Sequence, residues 1–223
     1  EIRSKDSKIK AGVIRFFTYR PGSRPGGQAV LEAAERYLRE LEVGRICAFW
    51  KYFSYRFYKF GVGRLSAHIG HVYGLLHMNG YEVINGEFFL QHVGEIVEPL
   101  LLDESVDVFV ERKTSRGQLP GVIVKASRKG KSFGECAASC AGDHNQAQEA
   151  QTLLFIDWLG VKDEEQGGGW GRYLLQRMCW EASQIGYTEV AISTALDNYR
   201  ALLCYANSNF RVVDTEYEFA KNI

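Results

Sequence analysis

Apolar side chains recur at helical spacing in two stretches of the chain, and each stretch follows a turn rich in Gly or Pro. These stripes predict an amphipathic helix over about residues 27–41 and a second one over about residues 171–185. The apolar positions of the first are Val30, Leu31, Ala34, Leu38 and Leu41. Those of the second are Leu174, Leu175, Met178, Ala182 and Ile185.

Short apolar runs between the helices predict strands. The longest, Thr152–Val161, is almost uninterrupted and predicts a central strand. Asn85-Gly86 separates two short runs and predicts a hairpin, and residues 210–221 predict a hairpin or strand pair. The polar stretch 142–151 predicts a loop, and short helices are predicted before Gly80 and over residues 198–207. The other predicted strands cover residues 12–19, 46–50, 106–112, 121–126, 133–141 and 189–195.

The order of elements repeats between the two halves. A shift of 142 residues aligns identical letters, whereas a shift of 144 aligns the two apolar stripes, and we follow the stripes because burial follows them. The first half then has Leu76 in the place of Tyr205, and Pro25, which lacks an N–H, in the place of Gly169. At about 150 residues per domain, 223 residues make one and a half domains. We predict a degenerate half-domain over residues 1–94 and a complete domain over residues 95–223.

The composition indicates a folded protein without a broad charged surface. Hydrophobic residues make up 46% and charged residues 24%, which excludes a disordered chain. The 27 basic and 27 acidic residues cancel, which argues against binding to nucleic acid or anionic lipid. No stretch reaches the ~18 apolar residues of a membrane span. The first ten residues lack the apolar centre of a signal peptide.

The cysteines and histidines do not form a ligand set. Five cysteines are an odd number for a disulfide framework, so we expect a reduced, cytoplasmic protein. Cys136 and Cys140 have no second ligand pair, and His68 and His71 have no third partner. We therefore expect no metal.

The segment Lys51–Phe60 alternates aromatic and basic residues, a pattern found where single-stranded nucleic acid binds. Zero net charge disfavours that interpretation. We expect the segment to line an acceptor cleft, or an interface between the halves or between subunits. A homodimer is left open.

A glycine-rich turn follows the predicted central strand and opens a helix: Gln166-Gly-Gly-Gly-Trp-Gly-Arg172. Glycines allow successive N–H groups to point into one concavity, and the helix N-terminus adds positive charge, so the turn can hold a pyrophosphate. It is neither a Walker loop, which ends in Gly-Lys-Ser/Thr, nor a Rossmann fingerprint, which needs a βαβ context. The alternative is a plain mobile loop.

The order of strands, glycine turn, helix, strand and helix resembles the GNAT-type N-acetyltransferases. Residues 166–171 fit that family's Q/R-x-x-G-x-G/A signature, and Asn198, Ala201 and Tyr205 fit its N-x-x-A-x-x-x-Y pattern. Asn209-Phe210 stands where the family has Gly-Phe. The match extends over about residues 107–221, and the whole chain looks like a shortened tandem member. The resemblance implies an α/β fold, with a mixed, mostly antiparallel central sheet flanked by helices and a degenerate N-terminal half-repeat.

The resemblance also implies acetyl-CoA as co-substrate. Backbone N–H groups of the turn would hold the pyrophosphate, and the strand end at residues 158–161 would part from its neighbour and bind the pantetheine arm. The implied cofactor-binding residues are Leu159, Val161, Gln166, Gly167, Gly168, Gly169, Trp170, Gly171, Arg172 and Asn198. Arg172 has an alternative as an exposed first-turn cation, and Asn198 has one as a helix N-cap.

Three side chains are candidates for catalysis. Tyr205 would donate a proton to the leaving thiolate, with a core aromatic as the alternative. Asp157 on the central strand and Glu135 on the preceding strand would act as the base, directly or through water. The alternative for both is an ordinary exposed or paired carboxylate.

The predicted function is therefore transfer of an acetyl group from acetyl-CoA to a primary amine on a small molecule or peptide, without a covalent enzyme intermediate. One alternative is a non-catalytic acyl-CoA-binding or regulatory module. Another is an interaction protein that works through its aromatic segment.

Overall fold

A computed structural model describes residues 10–53, 55 and 63–223. The described residues form ten strands and five helices. The strands are β1 (Ala11–Ile14), β2 (Arg45–Ala48), β3 (Leu65–Ser66), β4 (Glu82–His92), β5 (Val106–Lys113), β6 (Gly121–Arg128), β7 (Lys131–Cys140), β8 (Leu153–Val161), β9 (Glu189–Ala195) and β10 (Phe210–Asn222). The helices are α1 (Arg24–Glu40), α2 (Gly70–Met78), α3 (Gln148–Gln151), α4 (Trp170–Gln184) and α5 (Tyr199–Ala206).

The chain divides into two compact units. The first contains the described residues up to Glu87 and the segment Asp214–Ile223, and the second contains Phe88–Val213. These limits differ from the predicted boundary between residues 94 and 95, because β10 returns the chain to the first unit. That the first unit is a degenerate copy of the second stays a prediction.

The second unit is built on an antiparallel meander that ends in one parallel pair. Strands β5, β6, β7 and β8 pair in sequence with antiparallel registers, and β8 pairs in parallel with β9. The order β9-β8-β7-β6-β5 places the predicted central strand, β8, between two neighbours. A parallel pair requires a crossover connection, and α4 provides it. The predicted mixed, mostly antiparallel sheet flanked by helices is confirmed.

Helix α4 closes the core of the second unit. Leu174, Leu175 and Met178 are completely buried, together with alternate residues of β6 and β7. Gly134 of β7 allows the helix to approach the sheet closely, because a Cβ built on it would lie 2.8 Å from Cδ1 of Leu174. The apolar stripe predicted for this helix therefore faces the sheet.

The first unit has a smaller sheet with α1 and α2 packed against it. Strand β1 pairs in parallel with β2, and β2 pairs antiparallel with the end of β10. Leu31 of α1, Leu76 of α2 and Phe219 of β10 meet in its core. No described helix of either unit has the length and apolar character needed to cross a bilayer.

The apolar stripe predicted for α1 is partly wrong, since Val30 and Leu41 are exposed. The buried face of α1 includes a charged residue, Glu35. Its carboxylate forms ion pairs with Arg39 at 2.7 Å and with Lys221 at 3.0 Å. The buried positions of α1 are Gly27, Leu31, Glu35 and Leu38. All four buried positions of α1 fall on buried positions of α4 when the two helices are aligned at a shift of 143 residues, rather than at the predicted shift of 144. Pro25 lies in the first turn of α1, where the missing N–H costs nothing.

The hairpin predicted at Asn85-Gly86 is also wrong, because β4 runs through both residues. A type I′ turn requires positive φ at its two central positions, and neither residue has it.

The hairpin or strand pair predicted over residues 210–221 is one continuous strand, β10. Asp214, Glu216 and Glu218 alternate on one of its faces and are all buried. Arg64 lies 2.9 Å from Glu218, whose pKa is raised by burial while the Arg64 guanidinium opposes the rise. Acidic residues at buried positions therefore concealed the strand in the sequence.

The predicted loop 142–151 contains two short helical elements. A 3₁₀ turn (Ala141–Asp143) and α3 occupy the loop, where buried Gln151 accepts a hydrogen bond from the Gln118 N–H at 3.1 Å. In Lys51–Phe60, residue 54 and residues 56–60 lie outside the described residues, and so does the predicted role of this segment.

We expect Leu174→Ala to lower the free energy of unfolding by about 2–5 kcal/mol, because it leaves a cavity between α4 and the sheet. Urea denaturation followed by circular dichroism measures the change. Leu203→Ala is the matched control, since Leu203 is 65% exposed, and it should change stability by less than about 0.5 kcal/mol. Equal losses for the two variants would contradict the described packing.

Candidate functional site

Strand β8 parts from β9 halfway along its length. Their parallel pairing covers four residue pairs and stops at Ile156 and Ile192. Strand β8 nevertheless continues to Val161, and β9 continues to Ala195. In the described structure the end of β8 therefore has β7 on one side and no pairing with β9 on the other.

A β-bulge marks the point of separation. Ala138 of β7 pairs with Ile156, whereas Ala137 pairs with Trp158, so Asp157 is an extra residue in β8. A bulge bends its strand and increases the local twist, which turns the end of β8 away from β9.

A groove with a volume of about 850 Å³ opens where the strands part. The end of β8, the glycine-rich loop before α4, and α5 form its walls. Tyr205 lines it, and so do eight of the ten residues that the sequence predicted to bind a cofactor. Those eight are Leu159, Val161, Gln166, Gly167, Gly169, Gly171, Arg172 and Asn198.

Side-chain bonds tie the glycine-rich loop to the strands beneath it. The Gln166 amide donates to the carbonyl oxygen of Val161 at 3.0 Å and to Oδ1 of Asp163 at 2.8 Å. Glu165 forms an ion pair with Arg128 at the end of β6. The loop therefore starts from a fixed position at the end of β8.

Two glycines give the loop its shape. Gly167 and Gly169 have φ values of +83° and +86°, a region that costs other residues about 1–2 kcal/mol. A Cβ built on Gly167 would have no neighbour within 4 Å, so the loop is open at this point. Gly169 is the N-cap of α4 and accepts its first helical hydrogen bond, from Tyr173, at 3.0 Å. The N–H groups of residues 170–172 precede that bond, and such groups attract anions.

The other two predicted cofactor-binding residues do not line the groove. Trp170 is buried and packs edge-on against Phe133 and Tyr173, with ring centroids 5.1 and 5.5 Å apart. It anchors the first turn of α4 in the core. A Cβ built on Gly168 would lie 3.5 Å from Cδ1 of Trp170.

Two arginines and an asparagine stand along the groove. Arg172 is exposed and has no ion pair with any residue that the structure describes. Arg200, on α5, is a second cation that lines the groove. Asn198 is the N-cap of α5, and its Oδ1 accepts a hydrogen bond from the Ala201 N–H at 3.2 Å. Asn198 was predicted either to cap the helix or to bind a cofactor. These two roles are compatible, because the residue caps α5 and also lines the groove.

Tyr205 lies on the inner side of α5, with 6% of its surface exposed. Burial raises the pKa of its phenol above the ordinary value, and the neighbouring Cys204 and Cys136 add to the rise. The hydroxyl therefore keeps its proton at neutral pH. It forms no hydrogen bond with any described residue.

The two candidate carboxylates lie outside the groove, on the sheet face opposite α4. Asp157 accepts a hydrogen bond from the Ser139 hydroxyl. Desolvation by the surrounding protein raises the pKa of Asp157, and the Ser139 hydrogen bond opposes that rise. Glu135 lies 3.7 Å from Lys125. The structure thus groups Tyr205 with the predicted cofactor-binding residues and separates both carboxylates from them.

The sequence interpretation missed Arg200, Cys204 and Asn207, which also line the groove. Cys204 could have been found, because it lies three residues after Ala201, which is the spacing of neighbours on one helix face. Arg200 has no such signal. No group of three or more His, Cys, Asp or Glu side chains suited to a metal occurs in residues 10–53, 55 and 63–223.

Comparisons with known proteins show the family and the fold of the chain. The model of the acetyltransferase (GNAT) family matches residues 92–210, more than half of the 223 residues. A tandem GNAT protein from the clavulanic acid biosynthesis pathway has a TM-score of 0.67 at 11% identity, covering 96% of this chain and 76% of that one. None of the curated proteins matches.

Two further solved structures share the fold. A GCN5-related N-acetyltransferase from Sphaerobacter thermophilus has a TM-score of 0.59 at 13% identity, covering 90% of this chain and 69% of that one. Another, from Kribbella flavida, has a TM-score of 0.55 at 13% identity, covering 91% and 77%.

We expect Gly169→Ala to destabilise the protein by about 1–2 kcal/mol, because alanine must adopt positive φ there. Gly168→Ala is the matched control: its φ is not positive and a Cβ would make ordinary contacts at 3.5 Å. Urea denaturation compares the two variants. A loss at Gly168 equal to that at Gly169 would contradict the described loop.

Proposed function

The chain belongs to the acetyltransferase (GNAT) family, and from that premise we propose that it transfers the acetyl group of acetyl-CoA to a primary amine. One observation carries the proposal: the free end of β8, the glycine-rich loop and the buried Tyr205 line the same groove. The groove therefore offers a phosphate site, a backbone edge and a proton donor to one ligand.

The loop fits the pyrophosphate of acetyl-CoA. Gly167, Gly169, Gly171 and Arg172 line the groove at the N-terminus of α4, where the helix dipole and the unbonded N–H groups of the first turn favour negative charge. The Arg172 and Arg200 guanidinium groups would add charge-assisted hydrogen bonds to phosphate oxygens.

The end of β8 fits the pantetheine arm. Beyond Ile156 the strand has no pairing with β9 in the described structure, so amides of the arm would pair with backbone groups at Leu159 and Val161. The same backbone N–H groups would polarise the carbonyl that the amine attacks.

Acetyl-CoA supplies an acetyl thioester. The amine nitrogen bonds to the carbonyl carbon as the carbon–sulfur bond breaks, and Tyr205 gives its proton to the sulfur. The nitrogen loses one proton, which Asp157 or Glu135 accepts directly or through water. The raised pKa of Asp157 suits a base better than an ordinary surface carboxylate does.

We expect Tyr205→Phe to lower kcat about 100-fold, because the thiolate loses its proton donor. Release of free thiol from acetyl-CoA, assayed across a panel of amines, measures kcat, and a thermal shift with acetyl-CoA checks binding. Tyr199→Phe is the matched control on the same helix, since Tyr199 is 70% exposed. It should keep full activity.

Two results would count against this function. If no amine releases thiol although acetyl-CoA raises the melting temperature, the protein is an acyl-CoA-binding module. If acetyl-CoA gives no thermal shift, neither function holds.

We further expect acetyl-CoA to protect Cys204 from thiol reagents. Cys204 lines the groove and is half-buried, whereas the other four cysteines are buried. Burial raises the pKa of the Cys204 thiol, and Arg172 opposes the rise. Labelling should therefore be slow at neutral pH, speed up as the pH rises, and slow again with acetyl-CoA present. The absorbance of a chromogenic disulfide reagent measures the labelling rate. Cys204→Ala should abolish the labelling that acetyl-CoA slows. A labelling rate that acetyl-CoA leaves unchanged would contradict the placement of the ligand.

A further inference from the structure

Strand β5 is an edge strand of the second unit. It pairs with β6 along its whole length, and none of the described strands pairs with its other side. In an antiparallel ladder every second residue turns its N–H and C=O away from the neighbouring strand, so this side of β5 presents unpaired backbone groups. The strand contains no Pro, and its register with β6 has no bulge. Two devices that block pairing at sheet edges are therefore absent from this described strand.

An exposed apolar segment borders the same edge. Leu100, Leu101 and Leu102 are 89%, 44% and 51% exposed. Leu100 and Leu101 line a cavity of about 420 Å³ together with Val108 of β5 and Tyr173 of α4. These leucines therefore lie beside β5, on the side of the sheet that α4 covers. A contiguous exposed apolar patch is typical of a surface that binds another protein.

The two ends of β5 carry opposite charges. Asp107 and Lys113 are exposed, and neither forms an ion pair with any residue that the structure describes. Both lie on the sheet face opposite α4, because six residues separate them and strand side chains alternate. Glu111, the charge between them, lies 3.7 Å from Lys125 of β6. One acid and one base without an ion pair thus stand at opposite ends of the same edge.

We propose that β5 is a dimer interface, at which the edges of two copies of this chain pair antiparallel about a two-fold axis. The exposed leucines and the two end charges carry the proposal. An axis perpendicular to the sheet keeps the α4 sides of both copies on one side of the joined sheet. Each residue of β5 therefore meets a residue of the second copy that lies on the same face.

Charge complementarity selects the register of this pairing. Two registers of the required kind pair seven residues of β5 with the second copy. One centres on Phe109 and sets Asp107 opposite the second copy's Glu111, so like charges meet twice. The other centres on Val110 and sets Asp107 opposite the second copy's Lys113, so two ion pairs form. The second register is therefore the favoured one.

The remaining surfaces fit the same dimer. The leucines at residues 100–102 of both copies lie on one side of the joined sheet, beside the pairing, where they lose exposed apolar surface. Strands β6 and β7 separate β5 from β8. The interface thus uses no residue of the groove, and it does not rest on the proposed function.

Sedimentation velocity of the full chain over a range of concentrations tests the interface. We expect a species of twice the 25.2 kDa of one chain. Asp107→Lys sets lysine against lysine in both ion pairs, and Lys113→Asp sets aspartate against aspartate. Each variant should weaken dimerisation about tenfold. Glu40→Lys is the matched control, since it makes the same charge change at an exposed position of α1. It should dimerise like the unaltered chain.

An equimolar mixture of the two single variants restores complementary charges. A chain with lysine at both positions then faces a chain with aspartate at both, so a heterodimer should form about as tightly as the unaltered dimer. The double variant Asp107→Lys/Lys113→Asp should restore the homodimer for the same reason. Circular dichroism checks that every variant is folded.

A chain that stays monomeric at all concentrations would overturn the proposal and leave the edge to a strand of another protein. A dimer that neither single variant weakens would overturn it as well, because it would use another surface. So would folded variants that do not associate when mixed. If a variant fails to fold, hydrogen exchange of the unaltered chain decides: protection of β5 amides that rises with protein concentration supports the interface, and unchanged protection overturns it.

Discussion

The candidate site depends on one break in hydrogen bonding, at the bulge where β8 leaves β9. Pairing stops at Ile156, and Asp157 is the extra residue that bends the strand. Without the break, the end of β8 would be an ordinary interior strand, and neither the groove nor its backbone edge would exist. The glycine-rich loop continues from that bent end, and Gln166 ties it back to Val161. The bent end of β8 and the N-terminus of α4 therefore border the same groove.

The zero net charge of the chain conceals opposite local charges on the second unit. On the groove side, the N–H groups of the loop and the guanidinium groups of Arg172 and Arg200 give a positive site. On the sheet face opposite α4, the carboxylates of Asp107, Glu111, Glu135 and Asp157 outnumber the amines of Lys113 and Lys125. Trp158 belongs to both surfaces. The two surfaces therefore carry opposite local charge, and Trp158 lies where they meet.

Much of the second unit could be predicted from the sequence, because its patterns are local. The stripe from Leu174 to Ala182 follows helix periodicity, and the glycine turn follows from backbone conformation. The wrong predictions have a common physical cause: contacts with residues distant in the sequence override the local preference of a residue type. Glu35 and Glu218 are buried only because basic side chains from distant parts of the chain pair with them. Asn85 and Gly86 do not turn the chain, since β4 runs unbroken from Glu82 to His92 and neither residue adopts positive φ. The placement of Asp157 outside the groove depends on a bulge that no local pattern announces.

The contribution of β10 to the first unit has a consequence for how the protein is made. Strand β2 pairs with β1 on one side and with residues 219–222 on the other. A ribosome produces those residues only after the whole of Phe88–Val213 has been synthesised. The second unit can therefore begin to fold on the emerging chain, while β2 waits with one open edge until translation has passed residue 222. The first unit to be synthesised is thus the last to be completed.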